Sequence, residues 1–384
     1  MKLPQRFRDA ETLLHDAASA ATGLGDFGAD DYREGLRVLL ESYDREASLS
    51  AAGRANTYAL LQCCLQGRLL ALHGLRQRPD CREQPIARPV FIVGLPRTGT
   101  TVLHRLLAAD PANQGLEYWL GCAPMPRPPR TAWPAQPAFQ RVDGELNALM
   151  AANPGLKAIH AMSADTVDEC RLLLMQSFAN VTFQSNAGVP SYAYWLAQAD
   201  LAPAYRHYAD CLRLIGADAP GQRWILKDPS HLWAMGTLLK TFPDALIVQT
   251  HREPSQLIAS VSSLVLNARR GNEPGVSPVQ IGREQLDQWA RMLTRSMAVR
   301  ERFPDHFHDV YFSDFLIDPV AVVKGIYARL GTALSATGET AMRRWIAANP
   351  QHQHGGHRYA AADFGLDQAA IRTRFADYSR RFGL

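Results

Sequence analysis

A glycine-bearing segment with hydroxyl and guanidinium side chains is the part of the sequence best suited to chemistry. It reads Pro-Arg-Thr-Gly-Thr-Thr over residues 96–101 and follows four apolar residues, Val90 to Val93. The apolar run predicts a strand buried on both faces, and the residues from Gly99 onwards predict the start of a helix. Because the first N–H groups of a helix have no intrahelical partner and lie at the positive end of its dipole, they attract anions. The segment therefore predicts a phosphate or sulfate site.

The residue types in this loop narrow the choice of anion. A loop for nucleoside triphosphates reads G-x-x-x-x-G-K-S/T, with the lysine on the terminal phosphates. The spacing of Gly94 and Gly99 and the hydroxyl of Thr101 agree with that pattern, but Thr100 stands where the lysine should be. The cation of the loop is Arg97 instead. A guanidinium surrounded by threonine hydroxyls suits a phosphate or sulfate group that needs no metal.

A second anion-binding pattern occurs later in the chain. Arg252 comes shortly after the apolar run 245–248, and Ser260 lies further along the predicted helix that follows. An arginine at the end of a strand and a serine on the next helix can meet on one anion. Taken alone, an arginine close before Pro254 is equally typical of an ordinary helix start.

Together the two segments resemble the cofactor-binding loops of sulfotransferases that use 3′-phosphoadenosine 5′-phosphosulfate (PAPS). The similarity covers roughly residues 88–330. It implies an α/β fold with a P-loop-like parallel sheet flanked by helices, and PAPS as the sulfuryl donor, without a metal. The residues implied for the 5′-phosphosulfate are Arg97, Thr98, Gly99, Thr100 and Thr101, and those for the 3′-phosphate are Arg252 and Ser260. Tyr311 resembles the tyrosine of the family's Y-x-x-L/F segment, which packs near the adenine.

Lys227 is the expected catalytic lysine. It follows the short apolar run 224–226 and stands in a Lys-Asp-Pro context similar to that of the tyrosylprotein branch of the family. In that branch the lysine stabilises charge on the bridging oxygen as sulfate leaves, and we expect Arg97 to share this role. The phenol and steroid branch instead has a histidine two residues after the lysine, where this sequence has Pro229.

A general base is also needed, because a hydroxyl or amine acceptor must lose its proton as it attacks sulfur. Glu117 is the first candidate, since it lies close to where the tyrosylprotein and heparan-type branches place a catalytic glutamate, although its register differs by a residue from the tyrosylprotein pattern. His160 and His231 are alternatives, and each could equally be a structural histidine. Arg358, in a segment rich in glycine and histidine, is expected to help at the 3′-phosphate. The spacing of the histidines in that segment fits no metal site.

Alternating strands and helices must position these residues. Short apolar runs predict strands at 90–93, 224–226, 245–250 and 310–312. Because loops and helices follow these strands, the order predicts a parallel sheet with ligands at the carboxyl ends of the strands. Residues 9 to about 80 contain only helical patterns. We therefore predict a helical N-terminal extension over residues 1–85 and a P-loop-like sulfotransferase domain over residues 86–384.

Two further segments lead to expectations about the acceptor and the fold. Seven prolines between residues 111 and 137 predict a long loop, which we expect to form part of the acceptor pocket. Thr166-x-x-Glu169 predicts a capping box that starts a helix. Several aromatic residues could line a roomy pocket for a lipid, steroid, phenol or aromatic peptide, although their spacing is also typical of a core. They are Tyr118, Trp119, Trp133, Phe183, Tyr192, Tyr194 and Trp195.

Composition and charge argue against several classes of protein. The chain has 384 residues, of which 47% are hydrophobic and 20% charged, as in ordinary globular proteins. A net charge of +4 is far from the concentrated basic stripe of a nucleic-acid-binding protein. The N-terminal residues lack the apolar stretch typical of a secretion signal, no run of 18 apolar residues occurs, and the six cysteines are scattered. We expect a cytoplasmic protein without a membrane span or nucleic-acid partner, with a homodimer as one option.

The sequence as a whole predicts a PAPS-dependent sulfotransferase that moves the sulfuryl group by in-line displacement to a hydroxyl or amine of an unidentified acceptor. Two alternatives stay open at this point. A P-loop kinase or NTPase would depend on Mg²⁺ and would carry a lysine at position 100. A protein that only binds nucleotides would not need Lys227 or Glu117.

Overall fold

Five short parallel strands form the centre of the fold. The structure, a computed structural model, describes residues 4–152, 162–349 and 360–384. Within these residues the strands are β1 (Val90–Gly94), β2 (Asn113–Gln114), β3 (Arg223–Lys227), β4 (Leu246–His251) and β5 (Phe307–Tyr311). Their order across the sheet is β2-β3-β1-β4-β5, and every pairing is parallel. The predicted P-loop-like parallel sheet flanked by helices is confirmed.

The register of the strands brings the two predicted anion-binding segments to one edge of the sheet. Ile92 of β1 pairs with Lys227 of β3, and Gly94 at the end of β1 pairs with Thr250 of β4. The loop after β1 therefore lies between the carboxyl ends of β3 and β4. Crossover connections in parallel sheets place ligands at this edge.

Helices cover both faces of the sheet. Val90, Ile92 and Val248 face Leu103 and Leu106 on one side, where they are fully or almost fully buried. The α-helices in the described part of the chain are α1 (Glu11–Thr22), α2 (Arg33–Glu46), α3 (Ala51–Gln77), α4 (Thr100–Ala108), α5 (Tyr118–Cys122), α6 (Pro137–Ala152), α7 (Arg171–Leu174), α8 (Thr182–Asn186), α9 (Pro190–Gln198), α10 (Ala202–Ile215), α11 (Met235–Thr241), α12 (Ile258–Arg270), α13 (Pro278–Arg302), α14 (Phe312–Ile317), α15 (Pro319–Arg329), α16 (Ala336–Ala348), α17 (Gln368–Arg374) and α18 (Ala376–Phe382).

The N-terminal helices share a hydrophobic core with the sheet. Helix α3 begins after Ser50, whose Oγ accepts a hydrogen bond of 3.0 Å from the Gly53 N–H group. Leu61 and Leu65 of α3 are buried in the same core as Phe91 of β1. The helices α1, α2 and α3 lie between residues 11 and 77, as the helical patterns predict. The division into two domains at residue 85 stays a prediction.

Two local expectations were wrong. The proline-rich segment is not one long loop, because it contains β2, α5 and a short 3₁₀ helix, and Pro137 begins helix α6. Thr166 and Glu169 do not form a capping box. Instead, residues 164–168 run alongside residues 116–119, with hydrogen bonds from the Asp168 N–H to Leu116 and from the Tyr118 N–H to Thr166, and α7 begins only at Arg171.

Most of the aromatic residues proposed for the acceptor pocket belong to the core. Trp119, Phe183 and Tyr192 are fully buried, and Trp133 is almost so. Their rings pack on other aromatic rings, as in the edge-to-face contact of Trp119 with Trp133 at 5.8 Å. Among the described residues, no helix combines the length and apolar character required to cross a lipid bilayer.

Candidate active site

The loop after β1 has a backbone that only particular residues can adopt. Gly94 has φ +149°, and a Cβ atom there would lie 2.3 Å from the Oγ1 atom of Thr250. Gly99 has φ +88°, in the region that favours glycine, and Arg97 also has a positive φ of 74°. The Thr98 hydroxyl bonds the Leu95 carbonyl at 2.6 Å and the Thr250 hydroxyl at 2.5 Å, so it holds the loop from inside.

The outer side of this loop is suited to an anion. Helix α4 begins at Thr100, and no side chain caps its N-terminus. Its first N–H groups therefore point out of the helix end, where the macrodipole adds positive potential. Arg97 is exposed at the tip of the loop, while the hydroxyl of Thr98 is turned inward and buried. Any contact of Thr98 with a ligand would come from its backbone N–H group.

Lys227 joins this loop to a carboxylate that sequence reasoning had missed. It is the last residue of β3 and its side chain is only 2% exposed. The Nζ atom lies 3.3 Å from Thr101 Oγ1 and 2.6 Å from Glu169 Oε1. The other oxygen of Glu169 accepts a hydrogen bond of 3.1 Å from Arg171 Nε. Glu169 is thus shared by two cations next to the phosphate loop.

The backbone explains how Glu169 reaches this position. The Cys170 N–H group donates a 3.1 Å hydrogen bond to the carbonyl of Lys227, which ties residues 164–170 to the end of β3. Asp168 Oδ1 accepts a 2.7 Å hydrogen bond from the Glu169 N–H group. This contact arises from the tertiary arrangement, and the local sequence held no motif that could have revealed it.

A second buried carboxyl group lies directly after the lysine. Asp228 is 2% exposed, and its Oδ1 accepts a 2.8 Å hydrogen bond from the Ser230 N–H group. Burial, together with the negative charge of Glu169, raises the pKa of Asp228 to about 7. On the α4 side of β3, burial and the charge of Lys227 lower the pKa of His104 to about 3, so this histidine is neutral.

Glu117, the first candidate for the general base, forms an ion pair with an arginine of the proline-rich segment. Its Oε2 lies 3.0 Å from a guanidinium nitrogen of Arg127, and both side chains are largely buried. Arg127 also donates to Gln114 Oε1 at 2.7 Å and stacks over the Trp224 ring. It is Glu169, and not Glu117, that contacts Lys227.

Of the two alternative histidines, His231 lies within the described residues. His231 is fully buried, its Nδ1 lies 2.7 Å from the Tyr205 hydroxyl, and burial lowers its pKa to about 3. It is a core residue without access to an acceptor. His160 lies outside the described residues, and so does Arg358.

The residues predicted for the 3′-phosphate lie beside the phosphate loop. Arg252 Nη1 donates a 3.3 Å hydrogen bond to the carbonyl of Arg97, and its guanidinium lies 4.5 Å from the centre of the Phe312 ring. Ser260 is in the first turn of α12 and is 8% exposed. Tyr311 ends β5, pairs with His251, and its ring lies 5.4 Å from the His251 ring. The two predicted anion segments are thus brought into contact.

These features define a class of protein. A parallel α/β sheet carries a glycine-bearing loop after β1, with a buried lysine as the last residue of β3 and an arginine directly after β4. The described residues contain no group of three or more His, Cys, Asp or Glu side chains that could hold a metal ion. The chain has the architecture of a P-loop-like α/β protein.

Comparison with known proteins identifies the family. The chain belongs to the Sulfotransferase family, whose model matches residues 89–337. The crystal structure of sulfotransferase STF1 from Mycobacterium tuberculosis H37Rv superposes with a TM-score of 0.88 and 41% identity, covering 96% of this chain and 98% of that one. The structure of sulfotransferase STF9 from Mycobacterium avium gives a TM-score of 0.90 at 27% identity, covering 99% and 98%.

A curated relative extends the comparison. The omega-hydroxy-beta-dihydromenaquinone-9 sulfotransferase Stf3 of Mycobacterium bovis is 24% identical over 291 residues, which are 74% of this chain and 71% of that protein. The predicted sulfotransferase activity is confirmed at the level of the family. Membership of this family decides against the kinase and against a protein that only binds nucleotides.

Proposed function

We propose that this sulfotransferase takes its sulfuryl group from PAPS and transfers it to a hydroxyl group of an apolar acceptor. When bound, PAPS supplies an activated sulfuryl group and a nucleotide bisphosphate as leaving group. The residues at the carboxyl edge of the sheet fit this donor. The uncapped N-terminus of α4 and Arg97 suit a phosphosulfate, and Arg252 with Ser260 suits a separate phosphate. Tyr311 is proposed to pack near the adenine.

The position of Lys227 is the observation that carries the proposal. Its ammonium group is buried and lies within hydrogen-bond distance of Thr101 in the phosphate loop. A preorganised cation in a water-poor site stabilises negative charge that develops on a leaving oxygen. We assign Lys227 Nζ to this role, with Arg97 as the second cation.

Glu169 is the proposed proton acceptor in place of Glu117. Its carboxylate is 19% exposed and lies 2.6 Å from Lys227 Nζ, so it adjoins the cation that would face the leaving group. A general base must lie within hydrogen-bond reach of the proton that it removes. Glu117 pairs with Arg127 and not with Lys227, so it is assigned a structural role. On this view Glu169 Oε1 takes the acceptor proton as the acceptor oxygen attacks sulfur.

The chemistry of the acceptor is inferred from a relative and not from the aromatic residues, which are mostly core. The name of the Mycobacterium bovis relative describes a hydroxylated menaquinone as acceptor. We propose an apolar alcohol of this kind for the present chain. A cytoplasmic location, independence of metal ions and a homodimer stay predictions.

A transfer assay tests the proposal. The purified chain is incubated with radiolabelled PAPS and a matched pair of acceptors, an isoprenoid with a terminal hydroxyl group and its methyl ether. We expect label in the alcohol, none in the ether, and no effect of EDTA. Label transfer at an unchanged rate in Lys227→Ala would contradict the assigned role of the lysine. Transfer only to water-soluble phenols would contradict the proposed acceptor class.

A further inference from the structure

The C-terminal helix α18 lies beyond residues 89–337, which the family model matches, yet it packs directly behind the residue proposed to bind the 3′-phosphate. Arg252 stands between His251 and Glu253 in the turn after β4. Side chains of α18 contact both of these neighbours.

The first contact is a directed hydrogen-bond chain to His251. The Tyr378 hydroxyl lies 2.7 Å from His251 Nδ1, and Asp309 Oδ1 lies 2.9 Å from His251 Nε2. Asp309 is in turn held by two hydrogen bonds of 2.6 Å from Arg300. A carboxylate only accepts hydrogen bonds, so His251 Nε2 carries the proton. Burial lowers the pKa of His251, and the neutral ring therefore accepts at Nδ1 from the Tyr378 hydroxyl.

Packing reinforces this chain. The side chain of His251 is fully buried, and its ring stacks on Phe382 of α18 with the ring centres 3.9 Å apart. The Tyr378 and Phe382 rings also lie 4.9 Å from each other. His251 is thus fixed from one side by β5 and from the other by α18.

The second contact fixes the residue after the arginine. Ser379 Oγ donates a 3.3 Å hydrogen bond to Glu253 Oε2, while Glu253 Oε1 accepts from the Ser255 N–H group at 3.2 Å. The same turn supplies Gln256 Oε1, which accepts from Arg252 Nε at 3.2 Å. Helix α18 therefore holds the side chains of both neighbours of Arg252, in the turn that also supplies one contact of its guanidinium.

We infer that helix α18 positions Arg252 for the 3′-phosphate of the donor, with Tyr378 and Ser379 as positioning residues. This inference rests on the proposed assignment of Arg252 to the 3′-phosphate. Its consequence is specific. Loss of the contacts between α18 and the turn after β4 weakens the binding of ligands that carry a 3′-phosphate. The binding of ligands without a 3′-phosphate is unaffected, because the 5′-phosphate is assigned to the loop after β1.

Calorimetric titration of the full chain with adenosine 3′,5′-bisphosphate and with AMP, which differ only in the 3′-phosphate, tests this. For Tyr378→Phe combined with Ser379→Ala we expect about tenfold weaker binding of the bisphosphate, the effect of losing about one hydrogen bond at the site. Binding of AMP is expected to change by less than about twofold. An equal loss for both ligands, or no loss for either, would overturn the inference.

Tyr327→Phe is the matched control. The Tyr327 hydroxyl also bonds buried partners, Asp110 and Asn113, and Asn113 belongs to β2, which β3 and β1 separate from β4. This variant loses two buried hydrogen bonds and is expected to keep the affinity ratio of the two ligands. If it lowered the ratio as Tyr378→Phe does, general destabilisation would replace positioning as the explanation. If the combined variant does not fold, the same two ligands are compared in Ser379→Ala alone, which removes only the hydrogen bond to Glu253.

Arg252→Ala separates this inference from the proposed function. We expect it to abolish the preference for the bisphosphate over AMP, and the α18 changes to have no further effect in its background. If Arg252→Ala left the preference intact, the proposed 3′-phosphate site would be wrong. If Arg252→Ala removed the preference while Tyr378→Phe and Ser379→Ala did not alter it, only the role of α18 would be wrong.

Discussion

The two glutamates that compete for the role of general base can be separated by the same substitution at each. In the wild type, Lys227 Nζ lies 2.6 Å from Glu169 Oε1. Glu169→Gln keeps the volume of the side chain and an oxygen that can accept this hydrogen bond. It removes the negative charge and the ability to take a proton. Loss of a positioned general base lowers turnover by about a hundredfold to ten-thousandfold, which corresponds to about 3–5 kcal/mol in the barrier.

Glu117→Gln is the control with the same chemistry. Glu117 pairs with Arg127 at 3.0 Å, and the two side chains are 11% and 15% exposed. The amide leaves the guanidinium of Arg127 with a weaker partner, and the loss of a largely buried charge-assisted hydrogen bond costs about 1–3 kcal/mol of folding free energy. Turnover should fall by less than about threefold, because Glu117 does not contact Lys227.

The assay measures kcat and KM at saturating donor, bisphosphate affinity by calorimetry, and unfolding in urea for both variants. We expect Glu169→Gln to lose turnover and keep its affinity for the bisphosphate, and Glu117→Gln to lose stability and keep turnover. The reverse result, a turnover defect confined to Glu117→Gln, would refute the assignment of the base and restore the expectation from sequence.

Three further outcomes follow from the same structure. Lys227→Ala should lower turnover by about a hundredfold or more, on the order of 3 kcal/mol, while bisphosphate affinity measured by calorimetry changes little; unchanged turnover would remove the lysine from the mechanism. The pKa of Asp228 is raised from 3.8 in the unfolded chain to about 7 by burial and the charge of Glu169, so the folded state loses stability as the pH rises between these values. Asp228→Asn should therefore be more stable than the wild type in urea at about pH 8 and gain little at about pH 4, and an equal difference at both would contradict this pKa. Gly94→Ala places a Cβ atom 2.3 Å from a hydroxyl of β4 and should cost about 3 kcal/mol or more and abolish nucleotide binding, whereas Gly144→Ala, with nothing near its added Cβ atom, should be neutral or stabilising in the same unfolding and binding measurements.

The parts of the fold that local patterns determine were predictable. Residues 9 to about 80 were expected to be helical, and within them α3 runs from Ala51 to Gln77 after a serine cap. The glycine spacing of the phosphate loop marked two positions that have positive φ. Strand β1 was evident because its residues are buried on both faces and therefore read as a continuous apolar run. Strand β2 was missed, since two polar residues carry no strand pattern.

Contacts between segments that are distant in the sequence determine the site, and local sequence patterns do not predict such contacts. Glu169 resembled a capping residue, and only the pairing of residues 164–168 with 116–119 turns it towards Lys227. Glu117 matched a family position approximately, but its ion pair with Arg127 depends on an arginine in the irregular proline-rich segment. Aromatic spacing shows that a residue is buried without showing whether it lines a cavity. Trp119 was therefore a candidate for the acceptor pocket, but the structure buries it fully in the core.

The proposal that PAPS is the donor is tested most directly by calorimetric titration with adenosine 3′,5′-bisphosphate in EDTA, beside ATP with Mg²⁺. We expect micromolar or tighter binding of the bisphosphate that survives EDTA and is lost in Arg97→Ala and in Arg252→Ala. Failure of the bisphosphate to bind, with Mg²⁺-dependent binding of ATP in its place, would contradict the proposal.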